Sequence, residues 1–237
     1  MTRGHPVNVH IHATILRMPQ VLDAIELETG ASPDAAVIWL HGLGADGSDF
    51  EPIVPELRLP KNLRIRFVFP NAPAIPVTIN NGMRMPAWYD IVQLGGGAED
   101  EAGIRASQAQ VEQLIAREKE RGVPAARIVL AGFSQGGAIV LQTALRLPER
   151  IAGIMALSTY LPLAAKLAAE RSAANATVPI FMAHGRQDPM IPIARAQASR
   201  EALEKLGYKV EWREYAMPHS VCGEEIADMA AFLVRIL

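Results

Sequence analysis

A single cysteine, Cys222, stands among the 237 residues, so neither an internal disulfide nor a thiolate zinc cage can form. No run of 18 apolar residues occurs. The nearest candidate, 151–169, is broken by Ser158, Thr159, Pro162 and Lys166, and no membrane span is expected. Charge of one sign is equally scarce: 23 Lys and Arg face 25 Asp and Glu. That balance argues against a nucleic-acid or other polyanionic partner. The first twenty residues lack an apolar stretch with a small-residue cleavage site, so a secretory signal is not expected and a cytoplasmic location is. No internal repeat or low-complexity linker divides the chain. Residues 21–237 are read as one domain and 1–20 as an N-terminal extension. His5, His10 and His12 lie in that extension, which reads better as a frayed segment or edge strand than as a metal site.

Apolar material is plentiful. Half the residues are hydrophobic and only 20% are charged, which excludes a disordered or fibrous chain. Short β-rich runs at 36–40, 65–69, 127–131, 151–157, 180–183 and 210–215 alternate with helical patterns. Their nearly unbroken apolar character is what burial on both faces requires. The alternation predicts an α/β fold with a mostly parallel sheet and helices on both faces. Ile104, Val111, Leu114 and Ile115 mark one helix, ended by Gly122 and Pro124. Ile139, Val140, Ala144 and Leu145 mark a second, stopped before Pro148. Residues 193–206 and 226–237 give two more. Two regions break the pattern: 70–86, with four prolines and Asn80-Asn81-Gly82, reads as an irregular excursion, and 92–100 as a glycine-rich loop.

Gly132-Phe133-Ser134-Gln135-Gly136 fits G-x-S-x-G, and it lies between a buried-strand pattern and a helical one. That setting is what a nucleophile elbow needs: a sharp turn with no flanking Cβ atoms, lifting the serine above the sheet edge. A hydroxyl is a poor nucleophile without a base. In elbow enzymes the order along the chain is serine, acid, histidine. Only His184 and His219 follow Ser134. His184 precedes the best acid candidate, whereas His219 follows the last predicted strand. Among the acids between Ser134 and His219, Asp188 alone sits in a loop directly after a buried strand. There it would accept the Nδ1–H of His219 and fix its tautomer. The plainer readings are a turn serine, a solvated loop histidine and a turn-forming Asp-Pro pair.

Acyl transfer also needs donors for an oxyanion. The amide of Gln135 is one, and the amide of Leu43, in the loop after the first predicted strand, is the candidate for the second. His41 reads as a brace for this loop. Gly42, Gly44 and Gly47 also spell G-x-G-x-x-G, the dinucleotide fingerprint. Asp46 would stand where a pyrophosphate must lie, however, and no acid follows the next strand to take a ribose.

Several segments together resemble a known family. They are the His41 to Gly47 loop, Pro76-Val77-Thr78-Ile79-Asn80, Met85-Pro86-Ala87-Trp88-Tyr89-Asp90, Gly132 through Gly137, Ala156-Leu157-Ser158, His184-Gly185 with Asp188, and His219-Ser220 ahead of Glu224-Glu225. The family is the phospholipase/carboxylesterase branch of the α/β-hydrolases, which includes acyl-protein thioesterases and small bacterial carboxylesterases. The resemblance implies an α/β-hydrolase fold, Ser134, Asp188 and His219 as catalytic triad, and the Leu43 and Gln135 amides as oxyanion hole. It further implies ester hydrolysis with no metal and no cofactor. Ala156-Leu157-Ser158-Thr159-Tyr160 and Trp88-Tyr89 look more like the bacterial carboxylesterases. Pro218, the extension 1–20 and the 92–100 loop depart from the family pattern.

Leu43, Trp88, Ile91, Leu94, Leu161 and Pro189 are the residues expected to shape an acyl pocket. Cys222 reads as a core thiol. The expected activity is a serine carboxylesterase acting on short- to medium-chain esters through an acyl-enzyme. The alternatives are a lysophospholipase or acyl-protein thioesterase and, more remotely, a silent binding protein on a hydrolase fold. The expected partner is a small-molecule ester, with a homodimer as an option, no nucleic acid and no stable membrane insertion.

Overall fold

Seven strands of the computed structural model, which describes residues 21–93 and 98–237, form one sheet. In chain order they are β1 (Ala24–Glu28), β2 (Ala35–Leu40), β3 (Ile65–Pro70), β6 (Ile128–Phe133), β7 (Gly153–Leu157), β8 (Ile180–Gly185) and β9 (Val210–Tyr215). A separate two-stranded ribbon is made of β4 (Ala74–Val77) and β5 (Met83–Pro86). The sheet order is β1-β3-β2-β6-β7-β8-β9, with β1 antiparallel to β3 and every other pair parallel. All of β2, β3, β7 and β8 is buried, which accounts for their nearly unbroken apolar sequence. Crossover helices cover both faces.

On one face pack α2 (Glu101–Glu120), α3 (Gln135–Ala144), α4 (Ala164–Glu170) and α5 (Ile193–Lys205). Ile104, Leu141, Leu167 and Leu203 reach a common core there. On the other face α1 (Ile53–Glu56) and α6 (Gly223–Ile236) contribute Ile53, Met229 and Phe232 to a second core. No helix among the described residues is long and apolar enough to cross a membrane.

The predicted strands and the four predicted helices are present, with ends shifted by a few residues. Three features differ. The 70–86 region is not irregular, because it carries the β4–β5 ribbon. Pro76 and Pro86 are tolerated on it because both strands of a lone ribbon are edges, and Asn81 and Gly82 take the left-handed turn conformation, at φ 57° and 73°. Strand β1 escapes a sequence reading because only five residues alternate. Its Glu26 and Glu28 face outward, to Arg117 on α2, Arg121 at its C-terminal end and Arg66 on β3. Helix α4 buries only Leu167, too little for a readable face. The 1–20 extension and its three histidines lie outside the described residues.

β2 has β3 on one side and β6 on the other. The chain therefore leaves β2 and β6 in diverging directions, and the crevice between their C-terminal loops is where open α/β sheets bind ligands.

Candidate active site

Ser134 occupies the turn between β6 and α3 with φ 55° and ψ −119°, a conformation that costs a non-glycine residue about 1–3 kcal/mol. Its surroundings hold it there. The Ser134 amide donates to the Leu157 carbonyl at 2.9 Å, and Thr159 Oγ1 donates to the Ser134 carbonyl at 2.6 Å. A Cβ on Gly132 would lie 2.5 Å from the Gly136 backbone. One on Gly136 would lie 2.4 Å from the Leu40 carbonyl oxygen. The two glycines thus let the turn close on itself and the start of α3 press against the end of β2.

The loops after β8 and β9 bring Asp188 and His219 together. A Cβ on Gly185 would sit 2.3 Å from the Met217 carbonyl oxygen, so only glycine lets the two chains approach this closely, and the Gln187 amide donates to that same oxygen. Across this contact His219 Nδ1 donates to Asp188 Oδ2 at 2.6 Å, while Asp188 Oδ1 accepts from the Met190 and Ile191 amides. Phe133 packs on the imidazole with ring centroids 4.7 Å apart. With Nδ1 carrying the proton, Nε2 is left as the basic nitrogen. Ser134 and His219 line one cavity. Among the described residues no hydrogen bond joins Oγ to the ring, a bond that commonly tightens only when substrate is bound.

The other two histidines near the site are braces. His41 Nδ1 donates to the Gly42 carbonyl at 2.7 Å and its Nε2 accepts from the Ala72 amide at 3.0 Å. His184 Nε2 donates to the Ile191 carbonyl at 2.8 Å. Burial lowers the pKa of both rings, so each stays neutral where a free histidine begins to titrate. The amides of Leu43 and Gln135 have no acceptor among the described residues, and both residues line the cavity. The glycines of the 42–47 loop serve packing: a Cβ on Gly47 would lie 2.4 Å from the Phe69 carbonyl oxygen. A short 3₁₀ turn, Gly47–Asp49, follows in place of the helix that a dinucleotide site requires.

The cavity encloses about 260 Å³. Leu43 and Ile91 line it, as the sequence suggests, but three expected pocket residues do not. Trp88 is buried beneath, its indole N–H donating to the His41 carbonyl. Leu161 faces the core, and Pro189 points to solvent while the next residue, Met190, forms the wall. Leu94 lies outside the described residues. Among the described residues no group of His, Cys, Asp and Glu could hold a metal ion.

The family model described as Phospholipase/Carboxylesterase matches residues 24–237. The chain belongs to this family. An acyl-protein thioesterase 1 of Mycosarcoma maydis is 42% identical, over 90% of this chain and 95% of its own length. One of Neurospora crassa is 41% identical over 95% and 94%. Among solved structures, acyl-protein thioesterase 2 of Zea mays superposes with a TM-score of 0.80 at 28% identity, covering 90% of this chain and 98% of that one. The chain is thus an α/β-hydrolase of the ester and thioester hydrolase type.

Against that family framework, the cavity walls missed from the sequence stand out. Tyr89, Phe133, Tyr160, Met190, Ile191 and Arg195 come from separate loops and elements. Tyr89, Phe133 and Tyr160 fall within the segments that carry the family resemblance, but nothing local marks them as cavity walls, and only the fold brings them to Met190, Ile191 and Arg195. Gln135 is more than an amide donor: its side-chain Oε1 accepts from the Trp88 amide at 2.8 Å, and its Nε2 donates to the Tyr89 carbonyl at 2.7 Å. The residue after Ser134 thereby fixes the segment that forms one wall.

Proposed function

We propose that this protein is an acyl-protein thioesterase, cleaving S-acyl thioesters through an acyl-enzyme on Ser134. The 2.6 Å bond from His219 to Asp188, at the cavity that also holds Ser134, carries the reading. The thioesterase names of the similar chains favour this alternative over the short- to medium-chain carboxylesterase. In this reading His219 Nε2 takes the Ser134 proton as Oγ attacks the carbonyl carbon. The oxyanion gathers the Leu43 and Gln135 N–H groups, each such donor being worth about 3 kcal/mol of barrier. Collapse expels the thiolate, which receives the proton from His219. A water, deprotonated by the same nitrogen, then releases the fatty acid and restores Ser134. Asp188 orients the ring and stabilises its protonated form throughout.

The carboxylesterase reading keeps one observation in its favour. A cavity of about 260 Å³ is at the small end for ligand sites, which suits short acyl chains. Rates on an S-palmitoylated peptide, a butyrate ester and a lysophospholipid separate the readings, with Ser134→Ala as blank. We expect kcat/KM to be highest on the S-acyl peptide and abolished by the substitution. A preference for the butyrate ester would return the assignment to carboxylesterase. Undiminished turnover by Ser134→Ala, or no labelling by an organophosphonate probe, would remove the hydrolase role of this site.

A further inference from the structure

The hydrolase reading leaves one charged group of the cavity without a task. Arg195, on α5, lines the same cavity as Ser134 and His219. Its guanidinium carbon lies 3.4 Å from the centroid of the Tyr160 ring. The Tyr160 hydroxyl shares a 2.7 Å hydrogen bond with that of Tyr89, and Tyr89 is held through its carbonyl by Gln135. A chain of contacts starting at the residue after Ser134 therefore fixes the guanidinium on the cavity wall.

Stacking on an aromatic ring orients a guanidinium without neutralising it. A guanidinium stacked through its flat face can still donate from N–H groups at its edge. Among the described residues no carboxylate lies within 4 Å of Arg195, whereas Arg66, Arg105, Arg121 and Arg146 each hold one. Arg58, Arg84, Arg150, Arg171 and Arg186 also lack one, but only Arg195 lines the cavity. Glu99 borders a neighbouring recess with Arg195, but both its oxygens accept from the Leu163 amide. Asp49, the other charged residue lining the cavity, is exposed on the loop after β2. A positioned, unpaired cation contributes nothing to binding a neutral aliphatic chain. It contributes strongly to an anionic oxygen group, which it can grip with two parallel N–H bonds.

We infer that Arg195 is a specificity-determining residue that binds a carboxylate or phosphate carried by the substrate beside its scissile ester or thioester. This inference rests on the hydrolase reading of Ser134. It makes the preferred substrate an anionic acyl ester or thioester, with the charge on either the acyl or the leaving-group side.

Matched thioesters test it. The neutral reference is the octanoyl thioester of propanethiol. The acyl arm replaces octanoyl by a suberyl chain with a free terminal carboxylate. The leaving-group arms replace propanethiol by 3-mercaptopropionate or 2-mercaptoethyl phosphate. We expect kcat/KM of the wild-type protein to favour at least one charged substrate over the reference by about tenfold or more. Added salt should shrink that preference, Arg195→Met should bring the ratio to one or below, and Arg195→Lys should keep part of it. The ratio is taken within each protein, so a uniform loss of activity cancels. The inference is overturned if no charged thioester is preferred, or if the preference survives in Arg195→Met. Ser134-dependent hydrolysis of the neutral thioester without any charge preference would sink this inference alone. Absence of Ser134-dependent turnover on every substrate would sink the hydrolase reading with it.

Discussion

Gln135 turns its backbone and its side chain to different tasks. Its backbone amide is free toward the cavity, while its side chain satisfies the Trp88 amide and the Tyr89 carbonyl, both buried. Removing that side chain leaves two buried polar groups unpaired, at about 1–3 kcal/mol each. Gln135→Leu should therefore lower the midpoint of thermal unfolding. It should also reduce kcat/KM through a displaced Tyr89 wall even though the backbone donor remains. Unchanged stability and activity would show that the clamp is dispensable. Glu225, on α6, is the opposite case. It is fully buried and neither carboxyl oxygen has a partner among the described residues. Burial pushes its pKa up to about 8. In the unfolded chain the group ionises at the ordinary carboxylate pKa, so folding stability falls as pH rises from about 4.5 to 8. The stability gained by Glu225→Gln over wild type should be small at pH 5 and grow to a few kcal/mol (order of magnitude) by pH 8.5. Denaturant titrations at the two pH values measure this, and a gain independent of pH would contradict it.

Between elements, the contact that places Ser134 is the one between α3 and β2. A Cβ at Gly136 meets the Leu40 and His41 carbonyl oxygens at 2.4 and 2.6 Å, and both are backbone atoms that cannot swing away. Gly136→Ala should cost about 3 kcal/mol or more and disturb the elbow. Gly223, at the start of α6, has nothing within 4 Å of its would-be Cβ. Gly223→Ala should be neutral or stabilise by up to about 1 kcal/mol. Paired unfolding curves check the contrast, and equal effects would show that close approach is not what Gly136 provides. The same contact explains what was legible. Strands β2, β3 and β6 to β8 are buried on both faces, so their sequences are nearly unbroken apolar runs, interrupted only by the paired Arg66 on β3 and by His184 at the end of β8. β1, β4, β5 and α4 each present a face too short or too polar to stand out. The 70–86 stretch reads as irregular because prolines break interior strands, yet a two-stranded ribbon has only edges, where they fit.

For the molecule as a whole, the strand order decides the chemistry. Ser134 follows β6, Asp188 follows β8 and His219 follows β9. All three strands run parallel and end on one rim, so groups distant in sequence arrive at one cavity. All three stand out in the sequence as candidates because each lies just past a predicted strand: Ser134 between the two glycines of G-x-S-x-G, Asp188 three residues after Gly185, and His219 in the last loop. Beyond Leu43 and Ile91, the cavity walls were not readable. Trp88 carries the expected apolar bulk but spends it under the 42–47 loop, and Tyr160 and Arg195 meet only because α5 packs beside the loop after β7. A network of charges also spans the molecule's edge. Arg66 on β3 pairs with Glu28 on β1 and with the buried Glu118 on α2, tying the antiparallel edge strand to a helix on one face. The central claim is that Ser134 carries the acyl group during turnover. It is tested most directly by mixing the protein with a long-chain acyl thioester, quenching in acid within a turnover, and mapping the adduct by peptide mass spectrometry. The account predicts one acyl group on Ser134, in the tryptic peptide 128–146, and none in His219→Ala under the same conditions. Continued turnover with the acyl group on another residue, or with no covalent adduct on Ser134 under conditions where deacylation is slow, would contradict it.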